Sequence, residues 1–533
     1  MKLNRLSIDN FRCFDNFALD VGGRSLFVIS ENGGGKTSLI SAVAMTLGRA
    51  MLPTQTDFRD LARRIKITAI FTDFDLNEQA ELVNAIDYAT PPQLELSVIA
   101  DWDQASEQVD AELTLPTKNR RLTRQERAAL RFIYLPAWRD LARLTSFNQR
   151  NSILAEILAA LPIAPSLQAA LGDIKNAIDG LKSDPSLIDL FDKMRVFLSS
   201  VLPVVPGQGY DVGTTALTDK DLLAQLELLL SYASPLIAAT RQSSGLAQLT
   251  VFALAAEIAA NTPAALFCID EPEVSLHPQA QRALCETLSA LPNQTLIATH
   301  SSNLLQRADP RRVIRLSKTT GTATPISPSA MSDADAIALS RYLSSETAEG
   351  FFAKRIMFVE GPSDRLAILA LAKKKNLSLD SLGVSIVTLN GAGILTWYLK
   401  LFGPSGFGLP LCGLCDLDHL SEWSKVLEGA GLGTGLSQAT MEAIGFFVCA
   451  RDLEDELTKA LGMATVIQII DENGDTAVWK IFCQQPKNKG LSQAEQLHAF
   501  LTKRKVLYAP LLVSKLSTTI PRPLEEVLTF AIQ

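Results

Sequence analysis

Histidine is scarce in this chain, with four among 533 residues, and His277, His300, His419 and His498 show no metal-ligand spacing. Cys412-Gly-Leu-Cys415 is a lone C-x-x-C. A structural zinc site would need two further ligands, so the pair reads as small buried residues at a strand end. The seven cysteines are scattered without a framework, which fits a reducing compartment. Basic excess is also absent: 50 Lys and Arg face 57 Asp and Glu, a formal charge of −7. A nucleic-acid partner must then be held by local patches. Arg63-Arg64 with Lys66, Lys118 to Arg131, Lys373 to Lys375 and Lys503 to Lys505 are candidates, each also readable as a solvated face.

Long uninterrupted apolar runs are missing too. Met1-Lys2-Leu3-Asn4-Arg5 leads into an alternating strand rather than an apolar signal segment. The stretch from Leu249 to Ile269 contains Glu257, Asn261 and Pro263 and reads as a buried helix, a turn and a core strand. These absences predict a cytoplasmic protein without a membrane partner. No heptad persists across residues 151–240, which argues for a compact helical insert and against a coiled-coil arm.

Hydrophobic residues make up 47% of the chain and charged residues 20%, ordinary values for two or three globular domains. Leu3, Leu6, Ile8 and Phe11 outline a first strand, and Ser25 to Ile29 a second. Thr37 to Leu47 has helical apolar spacing, and Arg64 to Leu115 has the short alternating runs of an antiparallel sheet. Phe132 to Leu135 is another core strand. Ser317 to Ser332 is rich in Ser, Thr, Ala and Pro, as at a domain edge. From Ala353 a second α/β unit begins, with strands at Val384 to Leu389 and Leu411 to Cys415.

Ser30-Glu-Asn32-Gly33-Gly34-Gly35-Lys36-Thr37 lies between a strand and a helix, the context a phosphate loop requires. Backbone N–H groups would hold phosphates, Lys36 would reach the β and γ oxygens, and Thr37 would bind Mg²⁺. Ser30 stands where the first glycine is usual, which predicts altered geometry at the loop entry. Leu266 to Glu271 is a buried strand ending in two acids, with Asp270 suited to the ion and Glu271 to the attacking water. Followed by Ser275 and then by Leu296 to His300, this order resembles ABC-type ATPases of the recombination and repair branch. The resemblance makes Ser275 the D-loop residue, His300 the switch histidine, and Ser243-Ser244-Gly245-Leu246 the signature segment, with Leu246 replacing its second glycine. It also implies a homodimer, because such sites are completed between two subunits.

Glu360-Gly-Pro-Ser-Asp364 follows one apolar strand and Cys415-Asp416-Leu-Asp418 another. Carboxylates at several strand ends suit hard cations. Glu360 and Asp364 span a strand-to-helix turn, and Asp416 and Asp418 are expected on one side of a strand end. Two ions ~3.5–4 Å apart can serve phosphodiester hydrolysis. With the Asn390-Gly391-Ala392-Gly393 turn between them, these segments resemble the Toprim domain. Behind an ABC-type ATPase they resemble the overcoming-lysogenization-defect (OLD) nuclease family, including the nuclease subunit of the Gabija antiphage system.

That resemblance implies an α/β architecture: a P-loop ATPase with a helical insert, then a Rossmann-like Toprim domain. The expected divisions are 1–150 and 241–325 for the ATPase lobes, 151–240 for a dimerising insert, 326–352 for a linker and 353–533 for the nuclease domain. It implies Asp452 as a further metal ligand, with Glu454 and Glu456 behind it, and Lys489 before Lys487 as the basic group. A solvated helix start is the plain alternative for those acids. ATP and Mg²⁺, with Mn²⁺ as a substitute, are the implied cofactors. DNA, a second copy of the chain and a separately encoded defence component are the implied partners. The rival readings are a non-nucleolytic ATP-switched scaffold and a nuclease acting on RNA such as tRNA.

Overall fold

The computed structural model describes residues 1–31, 33–137, 144–147, 152, 154, 164–190, 192, 218, 222–223, 226–230, 237–261, 265–319, 322–326, 331–389, 391–517 and 519–533. Strands β1 (Lys2–Asp9), β2 (Phe17–Asp20) and β3 (Leu26–Ser30) precede a helix at Lys36–Thr46. Then come β4 (Ile65–Thr72), β5 (Leu94–Asp103), β6 (Gln108–Leu115), β7 (Arg120–Arg121) and β8 (Phe132–Leu135). Most of the insert lies outside the described residues, apart from a helix at Ala164–Lys182 and two short strands, β9 (Leu229–Leu230) and β10 (Ile237–Ala238).

The N-terminal α/β region resumes with the helix Ser244–Asn261, β11 (Leu266–Asp270), β12 (Thr295–Ala298), β13 (Val313–Thr319) and β14 (Thr322–Ile326). Two six-stranded sheets result. The first has the order β2-β1-β4-β5-β6-β7 and is antiparallel. The second, β14-β13-β3-β12-β11-β8, is parallel except at β14. Every residue of β3, β11 and β12 is buried, as central strands covered on both faces must be. The Lys36–Thr46 helix carries Leu39, Ile40 and Val43 into the core that also holds the antiparallel sheet.

Within the span 326–352, expected as a linker, residues 331–352 are instead folded. Helices at Asp333–Ser340 and Ser345–Glu349 are capped by Ser332 and Ser344, and Leu339, Ala348 and Phe351 are buried. The polar composition seen in the sequence supplies caps and exposed faces while the apolar minority reaches the core. A second parallel sheet follows, β16-β15-β17-β18, built from β15 (Arg355–Val359), β16 (Val384–Thr388), β17 (Leu411–Cys415) and β18 (Phe446–Val448). One continuous core runs from Phe27 and Ile269 of the β3–β11 sheet through Phe351 to Phe358 and Val448. On the other face of this sheet, C-terminal helices bury Trp479, Phe500, Tyr508 and Leu528.

Candidate functional sites

The phosphate loop leaves β3 at Ser30 and enters the helix through Gly35. Gly33 and Gly35 have φ of 71° and 102°, a backbone that glycine adopts without penalty. A Cβ on Gly34 would collide with the Ser30 side chain, and one on Gly35 would stand 2.5 Å from Cys13 Sγ. The loop is therefore bare backbone at a helix N-terminus, suited to a polyphosphate. It lines a cavity of ≈440 Å³ together with Arg12, Cys13, Lys36, Thr37, Ser38, Glu271 and His300. Asn32 lies outside the described residues.

Lys36 Nζ stands 2.6 Å from His300 Nε2 and 3.2 Å from Ser30 Oγ. The hydroxyl at the loop entry thus accepts from the lysine. Burial pushes the Lys36 ammonium below its usual range, against the pull of Glu271, Asp270 and Glu273. Burial and the Lys36 charge lower His300, favouring the neutral ring as acceptor. Asp270 closes β11 beside the loop, and Glu271 takes a left-handed φ of 47°, an uncommon conformation for a residue with a Cβ. Glu273, which the sequence reading passed over, accepts from the His300 backbone N–H at 2.6 Å and the Thr299 hydroxyl at 2.8 Å. It fixes the Thr299–His300 segment beside the loop.

Arg12 was also missed. It sits in a left-handed turn after β1, with Nε 2.7 Å from Asp57 Oδ1, and faces the cavity. Its only sequence signal is Phe11-Arg12-Cys13 at a strand exit. Ser244 and Gly245 begin their helix and are not among the residues lining this cavity, and a Cβ on Gly245 would stand 2.7 Å from the Ser275 carbonyl oxygen.

The second site forms at the carboxyl ends of β15, β17 and β18, where ligands bind in open parallel sheets. Glu360 follows β15 and its Oε1 accepts from the Asp416 N–H at 2.9 Å. Asp364, in the first turn of the helix Pro362–Lys374, is buried and accepts from the Gly361 N–H at 2.8 Å. Burial pushes Glu360 and Asp364 upward. Asp416 rises to about 8, through burial and then repulsion by Glu360, Asp364, Asp452 and Glu454.

Three expectations change here. Asp418 is exposed within a 3₁₀ turn, Leu417–His419. Strand alternation ends at Cys415, so the expected shared side with Asp416 does not follow. Asp452 caps the helix Leu453–Leu461 with one oxygen, 2.8 Å from Asp455 N, and meets His498 Nε2 with the other at 2.5 Å. Glu454 is the carboxylate left available: it is buried, its Oε1 has no hydrogen-bond partner, and burial raises it to about 7. Glu456 accepts from the Ala450 N–H and serves the turn. Finally, the ammonium acting on Glu360, Asp364 and Glu454 is that of Lys505. Its Nζ lies 3.9 Å from where a Cβ on Gly361 would stand. Lys489 is exposed on the turn after helix Thr476–Gln484, and Lys487 there faces Lys503.

Among the described residues no three His, Cys, Asp or Glu side chains already surround a cation position. The donor chemistry nevertheless fits a hard divalent ion, because an oxygen-only cluster with mutual repulsion and an unpartnered Glu454 oxygen gains most from one. Asn390 lies outside the described residues, and Gly391 has φ of 140°.

Comparison with known proteins agrees with this two-site architecture. Residues 93–306 match a AAA-domain family described with AbiEii toxins of type IV toxin–antitoxin systems, and residues 351–418 match the overcoming lysogenization defect protein-like TOPRIM domain. The OLD nuclease of Thermus scotoductus is 26% identical over 431 residues, 74% of this chain and 78% of that protein. The Old nuclease of Escherichia phage P2 is 26% identical over 161 residues, 28% of each chain. The solved C-terminal region of the Xanthomonas campestris pv. campestris OLD protein is 27% identical, covering 34% of this chain and 94% of that one, with a TM-score of 0.29.

Proposed function

From the premise that this chain is an ATPase–Toprim protein of the OLD family, we propose that it is a divalent-metal-dependent DNA endonuclease regulated by ATP. The observation that carries the reading is the grouping of Glu360, Asp364, Asp416 and Glu454 at neighbouring strand ends with Lys505 above them. Divalent ions held there would supply charge neutralisation at a phosphodiester. The Glu360 link holds two acid-bearing strand ends in register. Lys505 would bind a non-bridging oxygen of the scissile phosphate and stabilise charge as the bond breaks. Asp452 and His498 brace the third strand end.

At the other site Lys36, Thr37 and the glycine loop would hold ATP, with Asp270 and Thr37 at its Mg²⁺ and Glu271 orienting water. Ser244 and Gly245 do not line their own cavity, which is consistent with completion of the site by a second copy. Antiphage defence is the role this family suggests.

Purified protein incubated with supercoiled plasmid and Mg²⁺ or Mn²⁺, with and without ATP, tests the reading. Nicked or linear product is expected. Intact plasmid with cleaved tRNA would assign an RNA substrate, and two intact substrates would leave the scaffold reading.

A further inference from the structure

A short turn, Gly350–Phe352, enters β15 of the acid-bearing sheet and touches His300, which lines the nucleotide cavity. Two groups from the nucleotide side end on it. The His300 ring lies against the Phe352 ring, with centroids 6.3 Å apart and planes inclined by 28°. Arg315, on β13 beside the phosphate-loop strand, is 6% exposed and donates from Nη2 to the Ala353 carbonyl at 2.8 Å. The same nitrogen is 3.9 Å from Glu31 of the phosphate loop.

We infer that this turn is the joint through which nucleotide occupancy is read by the metal site, with Phe352 and Arg315 as its positioning residues. The inference rests on the proposed ATP-regulated nuclease and names the route of that regulation. Lys36 now donates to His300. A triphosphate that draws Lys36 to its β and γ oxygens takes that bond away, and the freed ring bears on Phe352. Movement of Glu31 with the loop changes the hold of Arg315 on Ala353. The turn has little room to absorb either displacement sideways: a Cβ on Gly350 would stand 2.8 Å from Phe402 and 3.0 Å from Ile356. Phe351 is wedged between Phe402 and Phe407, at 5.9 and 5.7 Å. The free direction is along β15, a buried strand whose far end carries Glu360. Packed elements pass small shifts on because interiors are close-packed.

Hydrogen exchange of the β15 amides, with and without a non-hydrolysable ATP analogue, reads this joint without requiring cleavage. Nucleotide affinity and the ratio of plasmid cleavage with and without analogue are measured alongside. In the unaltered protein the analogue is expected to change β15 exchange by about fivefold or more, a typical coupling. Phe352→Ala should lose that response and flatten the cleavage ratio while still binding the analogue, and Phe352→Tyr, which keeps the stack, should restore both. Arg315→Gln should weaken the response in the same direction. Should Arg315→Gln fail to fold, the half-buried Phe352 pair decides alone. An unaltered response in Phe352→Ala, or no response in the original chain, overturns the joint. Absence of cleavage with the exchange response intact would overturn only the nuclease reading.

Discussion

Glu360 Oε1 accepts the backbone N–H of Asp416 at 2.9 Å, tying the exit of β15 to the exit of β17. One carboxylate therefore orients another without using the second one's oxygens. Burial, and then the charges of Glu360, Asp364, Asp452 and Glu454, keep the Asp416 proton on.

The first prediction follows from that burial and repulsion. Unfolded, Asp416 gives up its proton near the ordinary 3.8, whereas folded it holds the proton up to about 8. The folded state binds the extra proton, so this group subtracts stability as pH rises from about 4 to about 8. Asp416→Asn should melt higher than the original chain in EDTA at pH 8, with a smaller gap at pH 5. Adding Mn²⁺ should narrow the pH 8 gap by stabilising only the protein with the full acid set. A lower melting temperature for Asp416→Asn in EDTA would show that the cluster is not strained by its own charge.

Lys505 and Lys489 make a discriminating pair. Lys505→Ala should lower the cleavage rate by about 10²–10³-fold, the usual loss for one preorganised donor. Lys489→Ala should cleave close to the original rate in the same plasmid assay. The reverse result would return the basic role to the turn after helix Thr476–Gln484.

Glu454 and Asp452 separate in the same way. Glu454→Gln should weaken Mn²⁺ binding in calorimetry, because it removes the charge of the buried carboxylate whose Oε1 has no partner. Asp452→Ala should chiefly cost stability, about 1 kcal/mol for the lost cap, read from urea midpoints. Equal losses of ion affinity in both variants would make Asp452 a ligand as well.

Much of this was legible in the sequence because the relevant signals are local. Phe132–Leu135 and Leu411–Cys415 fall where the apolar runs placed strands. The phosphate loop was legible from its glycines and its strand–helix setting. Lys505 was visible only as part of a basic run. Its role depends on the helix Lys505–Lys515 packing against Pro362–Lys374, a contact between segments distant in sequence. Asp418 misled because i, i+2 reasoning assumes extended backbone, and the chain turns into a 3₁₀ helix one residue earlier. The span before Phe352 misled because caps and linkers draw on the same polar residues. Arg12 and Glu273 were hidden for a simpler reason: each acts through a partner on another segment, Asp57 and His300.

A stability prediction lies far from both sites. Arg120 grips Glu126 at 2.6 and 2.8 Å and holds its carboxyl down to about 2. The folded value lies below the unfolded 4.5. The contribution is therefore full above about pH 4.5 and is lost as pH falls toward 2. Glu126→Gln should unfold at lower urea than the original chain at pH 7, and the difference should shrink by pH 3.5. A gap independent of pH would assign the loss to packing.

Plasmid nicking under single-turnover conditions by the original chain, Asp416→Asn and Lys36→Ala is the most direct measurement of the central claim. The account predicts metal-dependent nicking by the original chain and none by Asp416→Asn, although the latter still binds ATP. Lys36→Ala should still nick DNA but lose its response to nucleotide. Nicking by Asp416→Asn at the original rate would place the chemistry elsewhere and contradict the account.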